Sequence, residues 1–225
     1  MNSGRITAGT LRLAALLAVA GGFLDSFTFV AHGGVFANAQ TGNVVLLGVF
    51  AARGDGADAL SHLPPLLAFV AGVAVAETVT HPRVAPWLRR PLRVALLAEI
   101  VVLAVIGFLP DSFSSTTIVL IVSFVAALQN STFGKLGDWA VNTTMTTGNL
   151  RTATKAAYRA VFREEPGAAA QARAFGAICL SFLAGAGLGA LVTAWLGNRA
   201  AWGAALLLCA GMLLFVLDER PRQSR

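Results

Sequence analysis

Six apolar blocks, each close to twenty residues long, constrain the fold of this chain more than any other feature. They span residues 11–33, 62–80, 93–109, 116–136, 174–196 and 200–217. A helix needs about 20 apolar residues to cross the hydrocarbon core of a bilayer. Only 12% of the residues are charged, too few for the surface of an ordinary soluble domain. The sequence therefore predicts an all-α, polytopic integral membrane protein whose main partner is the lipid bilayer.

The chain is also predicted to be a tandem duplication. Three motifs occur twice and in the same order: a TGN turn at 41–43 and 147–149, "LDSFTF" (24–29) with "LQNSTF" (128–133), and "LAFVAG" (67–72) with "LSFLAG" (180–185). Each half continues with one more apolar block. We therefore expect one membrane domain made of two transmembrane repeats, 1–110 and 111–225.

The segments that follow the two TGN turns differ from the six blocks. Only nine apolar residues separate the first turn from Arg53, which as helix is ~14 Å, about half the hydrocarbon thickness. Behind the second turn, Arg151, Lys155 and Arg159 recur every four residues, so one helix face is strongly basic. Neither segment is predicted to cross the membrane on its own.

The loops that are basic in one half correspond to loops that are nearly free of net positive charge in the other. The region after the TGN turn is nearly neutral in the first half (53–58) and basic in the second (151–173), whereas the next loop is basic in the first half (83–93) and carries only Arg199 in the second. Lys and Arg accumulate in cytoplasmic loops. Equivalent loops therefore face opposite sides, which requires an odd number of crossings per repeat.

Three crossings per repeat, with both termini cytoplasmic, satisfy this charge pattern. The repeats would then be inverted, and each would carry a half-helix headed by its TGN turn. A reading with seven crossings and an external N-terminus stays open, but it requires one TGN segment to cross while its twin does not.

Inverted repeats would bring the two TGN turns together near the membrane midplane. Thr41 and Thr147 could cap the helices that follow, the glycines allow a close backbone approach, and Asn43 and Asn149 offer uncharged donors and acceptors. Helix N-termini suit anionic or carbonyl-bearing ligands. The alternative interpretation is that Thr and Asn only cap a helix and bond to a neighbour.

Other polar residues extend this candidate substrate site. Asp25 lies well inside the first block, where a carboxylate is costly and marks a functional candidate; its repeat counterpart is Gln129 or Asn130, and Gln40 directly precedes the first turn. Proton coupling through Asp25 and a purely structural hydrogen bond to a TGN turn both remain open. Glu77 and Glu99 lie nearer span ends, where they are expected to reach headgroups or the arginines of 83–93.

Several function classes are not supported by the sequence. There is no nucleophile–base pair, metal-ligand spacing or phosphate loop, so neither an enzyme nor a cofactor is predicted. The net charge of +6 comes from cations at the chain ends and between apolar blocks, which indicates membrane topology and no nucleic-acid partner. The small residues of "FLAGAGLGA" (182–190) favour close helix packing, within the protein or in a homo-oligomer.

Three stretches carry a resemblance to a known family. "GGFLDSFTFVAHGGVFANAQTGNVVLLG" (21–48), with "LQNSTF" and "TTMTTGNL", resembles the YoaK-type family of bacterial inner-membrane proteins, domain of unknown function 1275. The resemblance covers nearly the whole chain and implies a multi-pass protein of the bacterial cytoplasmic membrane. It implies no substrate or reaction. In the second half, Thr146 stands where the first has Gln40.

The function we expect is a small-solute transporter or channel with a polar midplane site. The solute is unknown, and transport could be coupled to protons. The predicted site consists of Asp25, Gln40, Thr41, Asn43, Gln129, Asn130, Thr147 and Asn149. The alternative is a non-transporting scaffold or sensor with a dry polar core, whose basic face at 151–163 would dock a cytoplasmic partner or anionic lipid.

Overall fold

The structure is a computed structural model that describes residues 8–81, 91–132, 135–136 and 139–218. Its helices, in chain order, are α1 (Ala8–Ala31), α2 (Gln40–Arg53), α3 (Gly56–Ser61), α4 (Leu63–Thr80), α5 (Pro91–Ile106), α6 (Ser115–Thr132), α7 (Thr146–Phe162), α8 (Ala168–Leu196) and α9 (Ala201–Asp218). A 3-10 turn, Gly197–Ala200, links α8 to α9. Each of the six predicted apolar blocks contains one long helix: α1, α4, α5, α6, α8 or α9.

Three helical stretches in the described part of the chain are long and apolar enough to cross a membrane: Leu11–Ala31, Gly56–Val79 and Ala168–Leu217. A shorter apolar helix covers Ser115–Ser131. Over most of their length these stretches have no polar face, as expected for helices surrounded by lipid and by one another. The architecture is therefore that of a polytopic helical membrane protein.

The helices that carry the TGN turns include the turn residues themselves. α2 has 14 residues and α7 has 17, which correspond to about 21 and 26 Å of helix. The nine apolar residues behind the first turn supply ~14 Å of α2, and residues 40–43 and Arg53 supply the rest. α2 ends at Gly54, whose left-handed φ of 82° allows the N–H groups of Gly54 and Asp55 to bond back to Ala51 and Phe50.

A feature that the sequence analysis did not anticipate lies between α6 and α7. Strands β1 (Lys135–Leu136) and β2 (Trp139–Ala140) form a two-residue antiparallel pair, in which Lys135 faces Ala140 and Leu136 faces Trp139.

Small residues on α8 allow it to lie directly against α1. A Cβ at Gly185 would collide with the backbone of Val19, and a Cβ at Gly189 would stand 2.5 Å from the carbonyl oxygen of Phe23. Because both residue numbers increase together, α1 and α8 run parallel. The predicted role of the 182–190 segment in close packing within the protein is thereby confirmed.

The remaining helices pack in a regular pattern. α1 contacts α8 and α9, α4 contacts α6, α5 lies against both α6 and α9, α7 packs along α8, and α2 lies against α3 and α4. The largest buried apolar cluster joins α1, α5, α6 and α9 through side chains that include Leu17, Phe27, Leu103, Ile118 and Leu208. This core includes Phe27 near the end of α1 and Ala37 in the loop before α2.

Candidate functional site

The first TGN turn is attached to the second half of α1. Residues 32–39 fold back along that helix, and the N–H groups of Asn38 and Ala39 donate to Asp25 Oδ1 at 2.7 and 3.4 Å. The N–H of Ala37 donates to Thr28 Oγ1 at 3.1 Å. Asp25 and Thr28 are both buried. The predicted intramembrane carboxylate therefore receives the backbone donors that precede α2.

Asn43 closes this turn with its side-chain amide. Its Oδ1 accepts the N–H of Phe36 at 3.0 Å, and its Nδ2 donates to the carbonyl oxygen of the same residue at 2.8 Å. Nδ2 also donates to Gln40 Oε1 at 2.9 Å, and Gln40 Nε2 donates to the carbonyl of Ala37 at 2.8 Å. His62 Nδ1 lies 3.4 Å from Asn43 Oδ1. Gln40 and Asn43 thus form one local network.

Asn149 makes the same arrangement in the second half. Its Oδ1 accepts the N–H of Asn142 at 3.4 Å, and its Nδ2 donates to the carbonyl of Asn142 at 2.5 Å and to that of Met145 at 3.2 Å. In both turns the asparagine reaches back seven residues, to Phe36 or to Asn142. Each TGN asparagine therefore holds the backbone of the loop that precedes its own helix.

Asn142 performs in the second turn the task that Asp25 performs in the first. Its Oδ1 accepts the N–H groups of Thr144 and Met145, both at 3.0 Å. The 106-residue spacing of the TGN turns makes these two N–H groups the equivalents of those at Asn38 and Ala39. A neutral amide oxygen from within the loop thus replaces a carboxylate from the helix. Sequence analysis missed Asn142 because it proposed Gln129 or Asn130 as the counterpart of Asp25.

The two turns meet against Gly21 of α1. Asn38 Nδ2 donates to the carbonyl oxygen of Gly21 at 3.4 Å. A Cβ at position 21 would stand 3.1 Å from the carbonyl oxygen of Thr143 and 3.3 Å from Thr144 Cα. Gly21 is the central residue of the 21-residue stretch Leu11–Ala31. A side chain larger than that of glycine would crowd this point, where both loops approach one helix.

A cavity of about 570 Å³ lies beside this meeting point. Of the predicted site residues, Asp25, Thr41 and Thr147 line it; the other lining residues are Ser26, Phe29, Val30, Phe36, Ala39, Asn142, Thr144, Met145, Thr146, Gly148, Phe182, Ala186 and Ala190. The first helical turns of both α2 and α7 therefore border one space, whose wall is completed by α1 and α8.

The other predicted site residues do not line this cavity. Gln40, Asn43 and Asn149 are buried in the networks described above, Gln129 is buried on α6, and Asn130 is half-buried on the same helix. The expectation that Thr41 and Thr147 cap their helices was wrong. α2 begins at Gln40 and α7 at Thr146, and neither N-cap residue, Ala39 or Met145, makes a side-chain capping bond.

Two glutamates outside the cavity behave differently from one another. Glu77 is exposed. Glu99 on α5 is fully buried, and among the described residues its carboxylate oxygens have no hydrogen-bond partner. The expectation that Glu99 reaches headgroups was therefore wrong. Arg83, Arg89 and Arg90 lie outside the described residues, as do Arg5, Arg220, Arg222 and Arg225, whereas Arg12 is exposed at the start of α1.

These features define a helical membrane protein with two loop-and-helix elements that meet inside the bundle. The family model described as "Protein of unknown function (DUF1275)" matches residues 13–214, and the chain belongs to this family. No curated protein and no solved structure matches the chain.

Proposed function

We propose that this protein is a small-solute transporter or channel of the bacterial cytoplasmic membrane, built from two inverted three-span repeats. The repeats comprise α1–α5 and α6–α9, within 1–110 and 111–225. α1 and α6 are equivalent in the two repeats, as are α2 and α7, α4 and α8, and α5 and α9.

Helix packing supports this equivalence. In the first pair of equivalent contacts, α1 packs against α8 and α6 packs against α4. In the second pair, α1 packs against α9 and α6 packs against α5. The equivalent glycines Gly72 and Gly185 also have equivalent neighbours. A Cβ at Gly72 would stand 2.5 Å from the carbonyl oxygen of Phe124 on α6, just as Gly185 lies against Val19 on α1. A pseudo-twofold relation accounts for both pairs.

The relative direction of the repeats is supported by one contact between them. His32, just beyond the end of α1, has its Nδ1 3.3 Å from Ser115 Oγ, at the start of α6. The last turn of α1 and the first turn of α6 therefore lie at the same end of the bundle. Equivalent helices would then run in opposite directions, as inverted repeats require.

The single observation that carries the functional proposal is the meeting of the two turns at Gly21. Irregular backbone at the centre of a membrane span is tolerated only where protein buries it or where it lines a cavity. Here both conditions apply, since the turns bury their amides and also border the 570 Å³ cavity. In the proposed mechanism, rocking of the two repeats would expose this cavity to either side in turn.

The second candidate function is a scaffold or sensor with a dry polar core. It is favoured by the internal use of the polar groups: Asn43 and Asn149 hold backbone groups of their own turns, and Asp25 Oδ1 accepts two N–H groups. On this interpretation no solute enters, and the cavity is filled by lipid or by a partner helix.

Accessibility of Thr41 and Thr147 separates the two functions. Both side chains are exposed and line the cavity, so each can be replaced by cysteine after the native Cys179 and Cys209 are changed to Ala. Membrane-impermeant thiol reagents would then be applied from each side in turn. A transporter predicts labelling of both positions. A dry core predicts none.

Matched controls make either result interpretable. Ala18→Cys, at a fully buried position on α1, must stay unlabelled, and Asp58→Cys, at an exposed position on α3, must react from one side. Uptake and efflux of a metabolite panel in proteoliposomes would then test transport directly. Failure of Thr41→Cys and Thr147→Cys to label from either side would leave the scaffold or sensor as the better proposal.

A further inference from the structure

The cavity-lining face of α7 continues as a row of cations. Thr147, Arg151, Lys155 and Arg159 are spaced four residues apart, so each lies about 6 Å from the next along a row that turns by about 40° around the helix at each step. Thr147 lines the cavity, and Arg151 and Lys155 are exposed. Arg159 bonds to Glu165 Oε1 at 3.0 Å and to Gln171 Oε1 at 2.7 Å. The row leads from the cavity to the C-terminal end of α7.

The equivalent face of α2 lacks these charges. At the 106-residue spacing, Arg151 corresponds to Val45 and Lys155 to Val49. Both valines are exposed, at 57% and 37% of their surface. A face turned to lipid suits valine, whereas a cation within the membrane needs water or an anion within reach. The exposed face of α2 therefore suits lipid, whereas the equivalent face of α7 suits water or an anion.

We infer that this row is an anion-attracting approach to the cavity, and that the protein takes small anions such as carboxylates or phosphate. The inference rests on the proposed transport function and specifies its substrate class. One cation at about 6 Å in a water-like medium enriches a monovalent anion about threefold. Asp25 is the only acidic residue among the described residues that line the cavity, and its Oδ1 already accepts two backbone N–H groups.

The test measures the charge preference of the cavity without knowledge of the substrate. Thr147→Cys, in the background lacking Cys179 and Cys209, would be reacted with the anionic reagent 2-sulfonatoethyl methanethiosulfonate and with its cationic trimethylammonium counterpart. Each rate is divided by the rate of the same reagent with free 2-mercaptoethanol. The quantity compared is the ratio of the anionic to the cationic normalised rate.

We expect the ratio at Thr147→Cys to fall about tenfold when Arg151→Gln and Lys155→Gln are added. Removing a cation slows the reaction of the anionic reagent and speeds that of the cationic reagent. Arg173→Gln removes an exposed cation of α8 that lies off the row, and it should change the ratio by less than about twofold.

The outcomes separate the two proposals. If Thr147→Cys never reacts from either side, the cavity is closed and the transport function fails. If it reacts without an anion preference, or with one that persists in the Arg151→Gln/Lys155→Gln variant, transport remains possible but the assignment of anions is overturned.

A membrane lipid is the other source of an anion for these cations. The ratio is therefore measured in vesicles of phosphatidylcholine alone and in vesicles with one third phosphatidylglycerol. We expect the anion preference to persist in both, within about twofold. If it disappears in the phosphatidylglycerol vesicles, lipid headgroups occupy the row, and the inferred approach for soluble anions is wrong.

Discussion

The side-chain amide of Asn43 bonds to both the N–H and the carbonyl oxygen of Phe36, seven residues earlier in the chain. This reciprocal pair holds the first TGN turn in the shape that brings Asn38 and Ala39 to Asp25. Asn149 makes the corresponding pair with Asn142. The function of the motif is thus first of all to fix two irregular loops inside the helix bundle.

Truncation of either TGN asparagine should destabilise the protein. In Asn43→Ala the backbone groups of Phe36 lose their partner, and each stranded buried group costs about 1 to 3 kcal/mol. Thermal unfolding in detergent, followed by tryptophan fluorescence, should show a clear drop for Asn43→Ala and for Asn149→Ala. Thr41→Ala, at an exposed neighbouring position, is the control and should lie within about 0.5 kcal/mol of the wild type. Equal stability of all three variants would contradict the structural role.

Asp25→Asn should fold nearly as well as the wild type, whereas Asp25→Ala should not. The N–H groups of Asn38 and Ala39 need an acceptor, and Asn142 shows that an amide oxygen suffices for the equivalent pair in the second turn. Loss of hydrogen bonds to a carboxylate costs about 1.5 to 3 kcal/mol. The melting temperatures of the two variants provide the measurement. Should Asp25→Asn melt as low as Asp25→Ala, the charge itself is needed.

Two glycines on the same helix should respond to alanine in opposite directions. In Gly185→Ala the new methyl group would collide with the backbone of Val19, so α8 must move away from α1. Gly187 has nothing within 4 Å of its Cβ position, and alanine there should stabilise the helix by about 0.5 to 1 kcal/mol. A lower melting temperature for Gly185→Ala and an equal or higher one for Gly187→Ala are expected. Indistinguishable variants would argue against the close contact of α1 with α8.

The contact between the α5–α6 loop and the turn before α9 can be tested at Asn198. Its N–H donates to Asp111 Oδ1 at 2.8 Å, and its Nδ2 donates to the carbonyl of Pro110 at 2.9 Å. Asn198→Ala keeps the backbone N–H and its bond to Asp111 but removes the side-chain bonds to the carbonyls of Leu109 and Pro110, so it should cost about 0.5 to 1.5 kcal/mol. Ser61→Ala, in the exposed turn before α4, serves as the control in the same unfolding assay. A shift no larger than the control's would show that the loops are joined by other contacts.

Part of the site could be predicted because its chemistry is carried by single residues in unusual surroundings. A carboxylate in the middle of an apolar block, as at Asp25, and a twice-repeated polar turn are visible without any structure. Asn142 was not visible, because a lone asparagine in a loop has many ordinary roles. Its importance comes from the direction of two backbone N–H groups. The two-residue β pair escaped prediction because so short an element has no periodicity in the sequence.

The sequence by itself determined that this chain is helical and membrane-embedded, because blocks of apolar residues without charges can satisfy their backbone in lipid only as helices. Its repeated motifs also indicated which polar residues of the two halves correspond to one another. Only the tertiary structure decided that Thr41, Thr147 and Asp25 border one cavity while Asn43 and Asn149 hold the loops in place. That division depends on which way each side chain points, and the direction is set by packing against Gly21, α1 and α8, contacts between residues far apart in the chain.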